Sequence, residues 1–145
     1  MLKLSKKADY ALIALKHLAM RDGRGSSSAA DIAVLYGMST PLLAKVLQKL
    51  AKSGLVAARH GSSGGYTLGR HPSKISALDV ISVVEGMPFI TSCVTSHGEC
   101  DILTTCTIRE PLRRVNNTIM DVLAKVTIAQ MADEAPASEV VELRV

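Results

Sequence analysis

The chain has 145 residues, 48% of them hydrophobic but only 3% aromatic and none of them Trp, which suits one domain with an appended helix and an aliphatic core. No apolar run reaches membrane-spanning length, and the basic start Met1-Leu2-Lys3-Leu4-Ser5-Lys6-Lys7 leads into Asp9 and Tyr10 with no small-residue cleavage site. Neither a membrane-spanning helix nor a secretory leader is expected, and a cytoplasmic location is. The net charge of +4 hides an asymmetry: residues 1–75 hold twelve Lys and Arg against three Asp and Glu, while residues 76–145 hold five against ten. A basic N-terminal half is the electrostatic footprint of a nucleic-acid binder.

The first predicted helix spans about Ser5 to Arg21. Ala8, Ala11, Leu12, Leu15 and Ala19 form one helical stripe and Tyr10, Ile13, His17 and Met20 a second, so this helix is expected to lie between the core and something else. Asp22-Gly23-Arg24-Gly25 breaks it. Ser28 and Asp31 form a capping pattern for a second helix carried by Ile32, Ala33, Leu35 and Tyr36 and stopped by Gly37. Ser39 and Thr40 are N-cap candidates and Pro41 fits the first turn of a third helix running to about Lys52. Two helices joined by a short turn containing Gly are the helix-turn-helix signature.

In the third helix Leu43, Val46, Leu47 and Leu50 point inward, while Pro41, Lys45, Gln48 and Lys52 line the outer face beside Thr40, Ala44 and Lys49. The second helix of such a motif enters the major groove and reads base edges with its N-terminal residues. A wing follows: strand 55–60, the loop Gly61-Ser62-Ser63-Gly64-Gly65, and the return strand Tyr66-Thr67-Leu68. Arg59 and His60 at its tip can approach the sugar–phosphate backbone. No helix starts after the Gly pair, so a nucleotide-binding loop is discounted. The candidate DNA contacts are Ser39, Thr40, Pro41, Ala44, Lys45, Gln48, Lys49, Arg59, His60, Ser62 and Tyr66, and the expected partner is a double-stranded operator.

Ser76 and Asp79 form another capping box, opening a helix through Val80, Ile81, Val83 and Val84 that stops at Gly86-Met87-Pro88. Pro111 opens a long helix whose Leu112, Val115, Ile119, Val122, Val126 and Ala129 alternate at spacings of three and four, a heptad seam that points to a homodimer. A loose tail is expected from Ala132. The expected division is thus 1–75 for DNA binding, 76–131 for a helix, cysteine loop and dimerisation helix, and 132–145 for the tail. The fold class is mostly α with a small β-wing.

Between those last two helices lie the chain's three cysteines, Cys93, Cys100 and Cys106, among Ser, Thr, Gly, Glu and Asp rather than on an apolar stripe. Three thiols on one loop can converge on a metal or an iron–sulfur cluster, and an odd number cannot all pair within the chain. Four ligands are usual, so one position is open, with His97, Glu99 and Asp101 nearby. Zinc on the cysteines with His97, a metal-free thiol switch, and an iron–sulfur carrier without DNA binding stand as alternatives. No Ser-His-Asp set or Walker loop can be assembled, which argues against an enzyme.

The opening Leu2-Lys3-Leu4-Ser5-Lys6-Lys7-Ala8-Asp9-Tyr10-Ala11-Leu12, the wing Arg59-His60-Gly61-Ser62-Ser63-Gly64-Gly65-Tyr66-Thr67-Leu68 and the cysteine triplet closely resemble the winged-helix family that includes the iron–sulfur regulator IscR and the nitric-oxide sensor NsrR. The opening looks most like the branch that regulates the SUF iron–sulfur assembly system. The resemblance implies a homodimeric regulator whose DNA binding changes when a cluster, two-iron or four-iron, is bound, lost or damaged. Arg109 stands where IscR-like members carry a ligating histidine. In NsrR-like members an aspartate of the partner's first helix fills that role, and Asp9 matches it. The resemblance thus implies Cys93, Cys100 and Cys106 of one protomer and Asp9 of the other. Ala44 replaces an acidic residue of some relatives, which implies a different operator.

Overall fold

A computed structural model describes residues 3–95 and 100–133. His97, Glu99 and most of the expected tail lie outside the described residues. The first helix, α1 (Lys6–Met20), begins where the Ser5 side chain accepts the Ala8 N–H. It buries Ala8, Ala11, Ala14, Leu15 and Leu18, and the small alanines let α3 (Thr40–Lys52), α4 (Ala77–Glu85) and α6 (Ile128–Asp133) pack close against it. Its second stripe is divided: Tyr10 packs against the core edge, while Ile13 is 38% and Met20 55% exposed.

The second helix, α2 (Ala29–Tyr36), forms with the predicted capping box and ends at Gly37, whose φ of 66° is the left-handed conformation that glycine adopts without penalty. Two turns of helix present only one inward surface, so α2 buries Ile32 and Ala33 alone. Leu35 and Tyr36, expected to help carry it, are 63% and 42% exposed. In α3 the inward row Leu43, Val46, Leu47 and Leu50 is buried as the spacing predicts.

The wing pairs β1 (Val56–Arg59) with β2 (Gly65–Leu68) in an antiparallel register that sets Val56 opposite Leu68 and Arg59 opposite Gly65. One core cluster runs from α1 through α2, α3 and β1 to Val80 and Val84 of α4 and Ile128 of α6.

The long predicted helix is two helices. Here α5 (Arg109–Lys125) ends where Val126 turns extended, and α6 folds back onto α1. The break has a local cause. Thr127 and Gln130 cap each other, the Thr127 N–H donating to Gln130 Oε1 at 2.9 Å and the Gln130 N–H to Thr127 Oγ1 at 3.2 Å, so a new helix starts there. Thr127 also bridges Ser76, and the Ala77 N–H donates to the Val126 carbonyl at 2.8 Å. The heptad seam is therefore confined to α5. Its Val115 and Val122 are 48% and 57% exposed, with Ile108 one heptad earlier at 58%, while Leu112 and Ile119 are half-buried.

Candidate nucleic-acid interface and thiol site

The start of α3 is fixed from two sides. Ser39 is its N-cap, its Oγ accepting the Leu42 N–H at 3.5 Å, and Pro41 sits in the first turn. From α1, the Tyr10 hydroxyl accepts the Ser39 N–H at 3.1 Å, so the helix that would enter a groove takes its position partly from α1. Thr40, Pro41, Lys45, Gln48, Lys49 and Lys52 are exposed along the outer face, and Ala44 is half-buried.

Lys49 Nζ donates to the Val84 carbonyl at 3.2 Å, which fastens it toward the end of α4, and Lys7, Lys45 and Lys49 line one groove between α1, α3 and α4. Among the described residues the one salt bridge joins Arg113 to Glu110, so Lys7, Lys45, Lys49 and Arg59 have no carboxylate partner and are available to phosphates.

The wing is fastened rather than free. Ser27 and Tyr66 exchange backbone hydrogen bonds, Ser27 N–H to Tyr66 O at 3.0 Å and Tyr66 N–H to Ser27 O at 2.8 Å. The Ser26 hydroxyl donates to the Ser63 carbonyl at 2.6 Å. This approach explains Gly65: a Cβ there would lie 2.5 Å from the Ser27 carbonyl carbon. Arg59 Nε donates to Thr67 Oγ1 at 3.3 Å, holding the guanidinium along the hairpin; His60 and Ser62 are exposed, and Tyr66 packs partly against the core.

Behind the wing, His17 lies 3.0 Å from the Tyr36 hydroxyl and 3.2 Å from the buried Ser27 hydroxyl, joining α1 to α2 and to the wing's base. Burial, and secondarily the Arg21 charge, hold its imidazole below the ordinary value.

The start of the cysteine segment follows α4 and packs against α5. Cys93 lies half-buried in a short 3-10 turn (Ser92–Val94), its Sγ 3.4 Å from Thr91 Oγ1. Cys100 is exposed, Cys106 half-buried, and all three thiols are free. Their chemistry fits a soft metal or an iron–sulfur cluster. In this conformation, however, no group of three or more His, Cys, Asp or Glu side chains is gathered closely enough to hold a metal ion among the described residues. Asp9, exposed on α1, stands next to Tyr10 in the chain; Asp101 is exposed, and Arg109 opens α5.

Two further residues matter here. Tyr10 looked like a member of an apolar stripe, and nothing local announces its bond to Ser39. Asn116, 7% exposed, is the buried residue of α5, and its Oδ1 accepts the Ile90 N–H at 3.0 Å. Its signal was present: an amide on the row Leu112, Asn116, Ile119 and Leu123, where packing favours an aliphatic side chain.

A capped helix presented on a small helical core, with a basic hairpin fastened beside it, is what a winged-helix transcription factor lays against a duplex. Comparison with known proteins narrows that class. The model of the Rrf2 family, described as an iron-dependent transcriptional regulator, matches residues 4–134. The chain is 32% identical to the HTH-type transcriptional regulator IscR of Vibrio vulnificus (strain YJ016), over 98% of this chain and 82% of that protein. Its fold superposes on CymR (YrzC), the global cysteine regulator of B. subtilis, with a TM-score of 0.78 at 31% identity, covering 94% of this chain and all of that one. T. potens IscR gives a TM-score of 0.71 at 32% identity, covering 93% of each chain. The chain belongs to the Rrf2 family. It is a transcriptional regulator rather than an enzyme, and no helix among the described residues is long and apolar enough to cross a membrane.

Proposed function

We propose that this protein is a homodimeric, cytoplasmic DNA-binding regulator that senses iron–sulfur status, oxidative stress or nitric oxide through a cluster on Cys93, Cys100 and Cys106, and that it controls iron–sulfur assembly genes. The observation that carries the reading is the presence of three free thiols on one polar segment beside a winged helix-turn-helix unit. The relatives named IscR support it. The partner subunit's Asp9 is the proposed fourth ligand, and the exposed Val115 and Val122 of α5 are the proposed dimer seam. A bound cluster would supply a centre that reacts with oxidants and nitric oxide. The chain's own residues do the rest. With Asp9 tied to the other protomer's cysteine segment, Tyr10 next to it carries the constraint to Ser39, and the two recognition helices keep a set separation. Releasing that tie changes operator affinity. Ser39, Thr40, Pro41, Ala44, Lys45 and Gln48 are proposed to face the groove, and Lys49, Arg59, His60, Ser62 and Tyr66 to meet its rim.

A second reading, a thiol switch that needs no metal, draws on the dispersed thiols of this conformation. Anaerobic purification with an absorption spectrum and iron and sulfide assays, on wild type and Asp9→Ala together, separates the two. Matched iron and sulfide in the wild type and a weakened cluster in the variant are expected. A colourless protein without iron would overturn the cluster. An unperturbed cluster in Asp9→Ala would move the fourth ligand to His97, Glu99 or Asp101.

A further inference from the structure

Asn116 breaks the pattern of its own helix. Leu112, Ile119, Met120 and Leu123 lie at helical spacing around it on the side of α5 that is at least half-buried, and an amide among them costs desolvation unless its polar atoms are bonded. An aliphatic residue would pack there at no such cost. The side chain nonetheless sits at 7% exposure with Oδ1 on the backbone N–H of Ile90, twenty-six positions away in sequence. Ile90 is three residues before Cys93, and the turn that holds Cys93 packs on the same helix. Residue 115, next to Asn116, is the exposed valine of the seam. We infer that Asn116 is a positioning residue: a latch that holds the entrance of the cysteine segment against α5 and sets how accessible Cys93 is. It acts on the thiol through the backbone of residues 90–93 and touches no sulfur itself.

Local departures from packing rules concentrate where function requires them, and a buried amide bonded to the proposed sensor segment is such a departure. The bond also places the thiol segment and the seam valine on adjacent positions of one rigid element, so a change at Cys93 is delivered to the surface proposed for dimerisation.

The inference rests on the reading of the three thiols as the sensor, but its test does not need a cluster. The full-length apo protein, kept reduced, is treated with a limiting maleimide, and modification of Cys93, Cys100 and Cys106 is followed by peptide mass spectrometry. Asn116→Leu removes the acceptor while filling the site; Asn116→Asp keeps an acceptor; Ile90→Pro removes the donor from the other side without altering α5. In Asn116→Leu and in Ile90→Pro, Cys93 should react about fivefold faster relative to exposed Cys100, the change expected for loss of one hydrogen bond. Asn116→Asp should stay within about twofold of wild type. The double change Asn116→Leu with Ile90→Pro should add nothing further, because both remove the same bond. A Cys93 rate unmoved in both single variants overturns the latch. So does an Asn116→Leu protein that dimerises more tightly with Cys93 unchanged, which would make the amide a register device of the dimer seam. A wild-type protein that takes up no iron and sulfide defeats the cluster reading and leaves this outcome standing by itself.

Discussion

The two halves of this molecule are built to different standards of fixity. From α1 to β2 the helix starts are capped by a serine, the inward row of α3 is sealed, and the wing is tied to the α1–α2 connection by backbone and side-chain bonds. Among the described residues from Gly86 to Ile108 none belongs to the core cluster, and the bond from Ile90 to Asn116 ties this stretch to α5. A reading unit must be rigid before it meets DNA, since ordering it on binding would cost affinity. The proposed sensing role would call for a segment that can change its arrangement, and sparse anchoring is consistent with that.

The sharpest way to break this contrast is to damage the rigid half alone. Leu47, fully buried in α3, should cost about 3 kcal/mol when truncated to Ala, measured by urea unfolding. Operator binding should fall with it while the relative reactivity of Cys93 and Cys100 stays unchanged; a change in that ratio would show that the halves are one cooperative unit. A gentler change tests the joint between them. Tyr10→Phe removes only the acceptor for the Ser39 N–H and should weaken operator binding about fivefold with little change in unfolding midpoint. Equal affinity in mutant and wild type would mean that α1 does not set the recognition helix.

The smallest effect concerns the wing's base. Because burial lowers the His17 value in the folded protein, the unfolded chain binds that proton more readily. Stability is then complete above the ordinary value of 6.5 and declines as the pH falls through it. His17→Gln should flatten that part of the pH–stability profile, and an identical profile would remove His17 from it.

What was legible in the sequence follows the same division. Capping boxes, the glycine after α2 and the inward row of α3 are local signals with local causes, and each element formed where its residues ask for it. Leu35 and Tyr36 face outward against expectation because apolar character does not say which side of a two-turn helix meets the core. The long helix was misjudged because the three-four spacing continues through Val126 and Ala129, while the Thr127–Gln130 capping pair that ends it is equally visible in the chain. For Tyr10 no local signal exists, and for Asn116 the sequence shows an amide on an aliphatic row but not what it bonds. Their partners lie twenty-nine and twenty-six positions off, and only tertiary packing brings them together.

The bridge between Ser76 and Thr127 has a consequence for how such a protein can change. It brings the chain back to the start of α4 after the cysteine segment and α5 have run their course, so that stretch departs and returns within the length of one short helix. Doubling a flexible loop costs only about 0.6 kcal/mol of closure entropy. A change in the length of the segment between α4 and α5 would therefore cost the fold little, because the Ser76–Thr127 bridge closes the stretch on the core side.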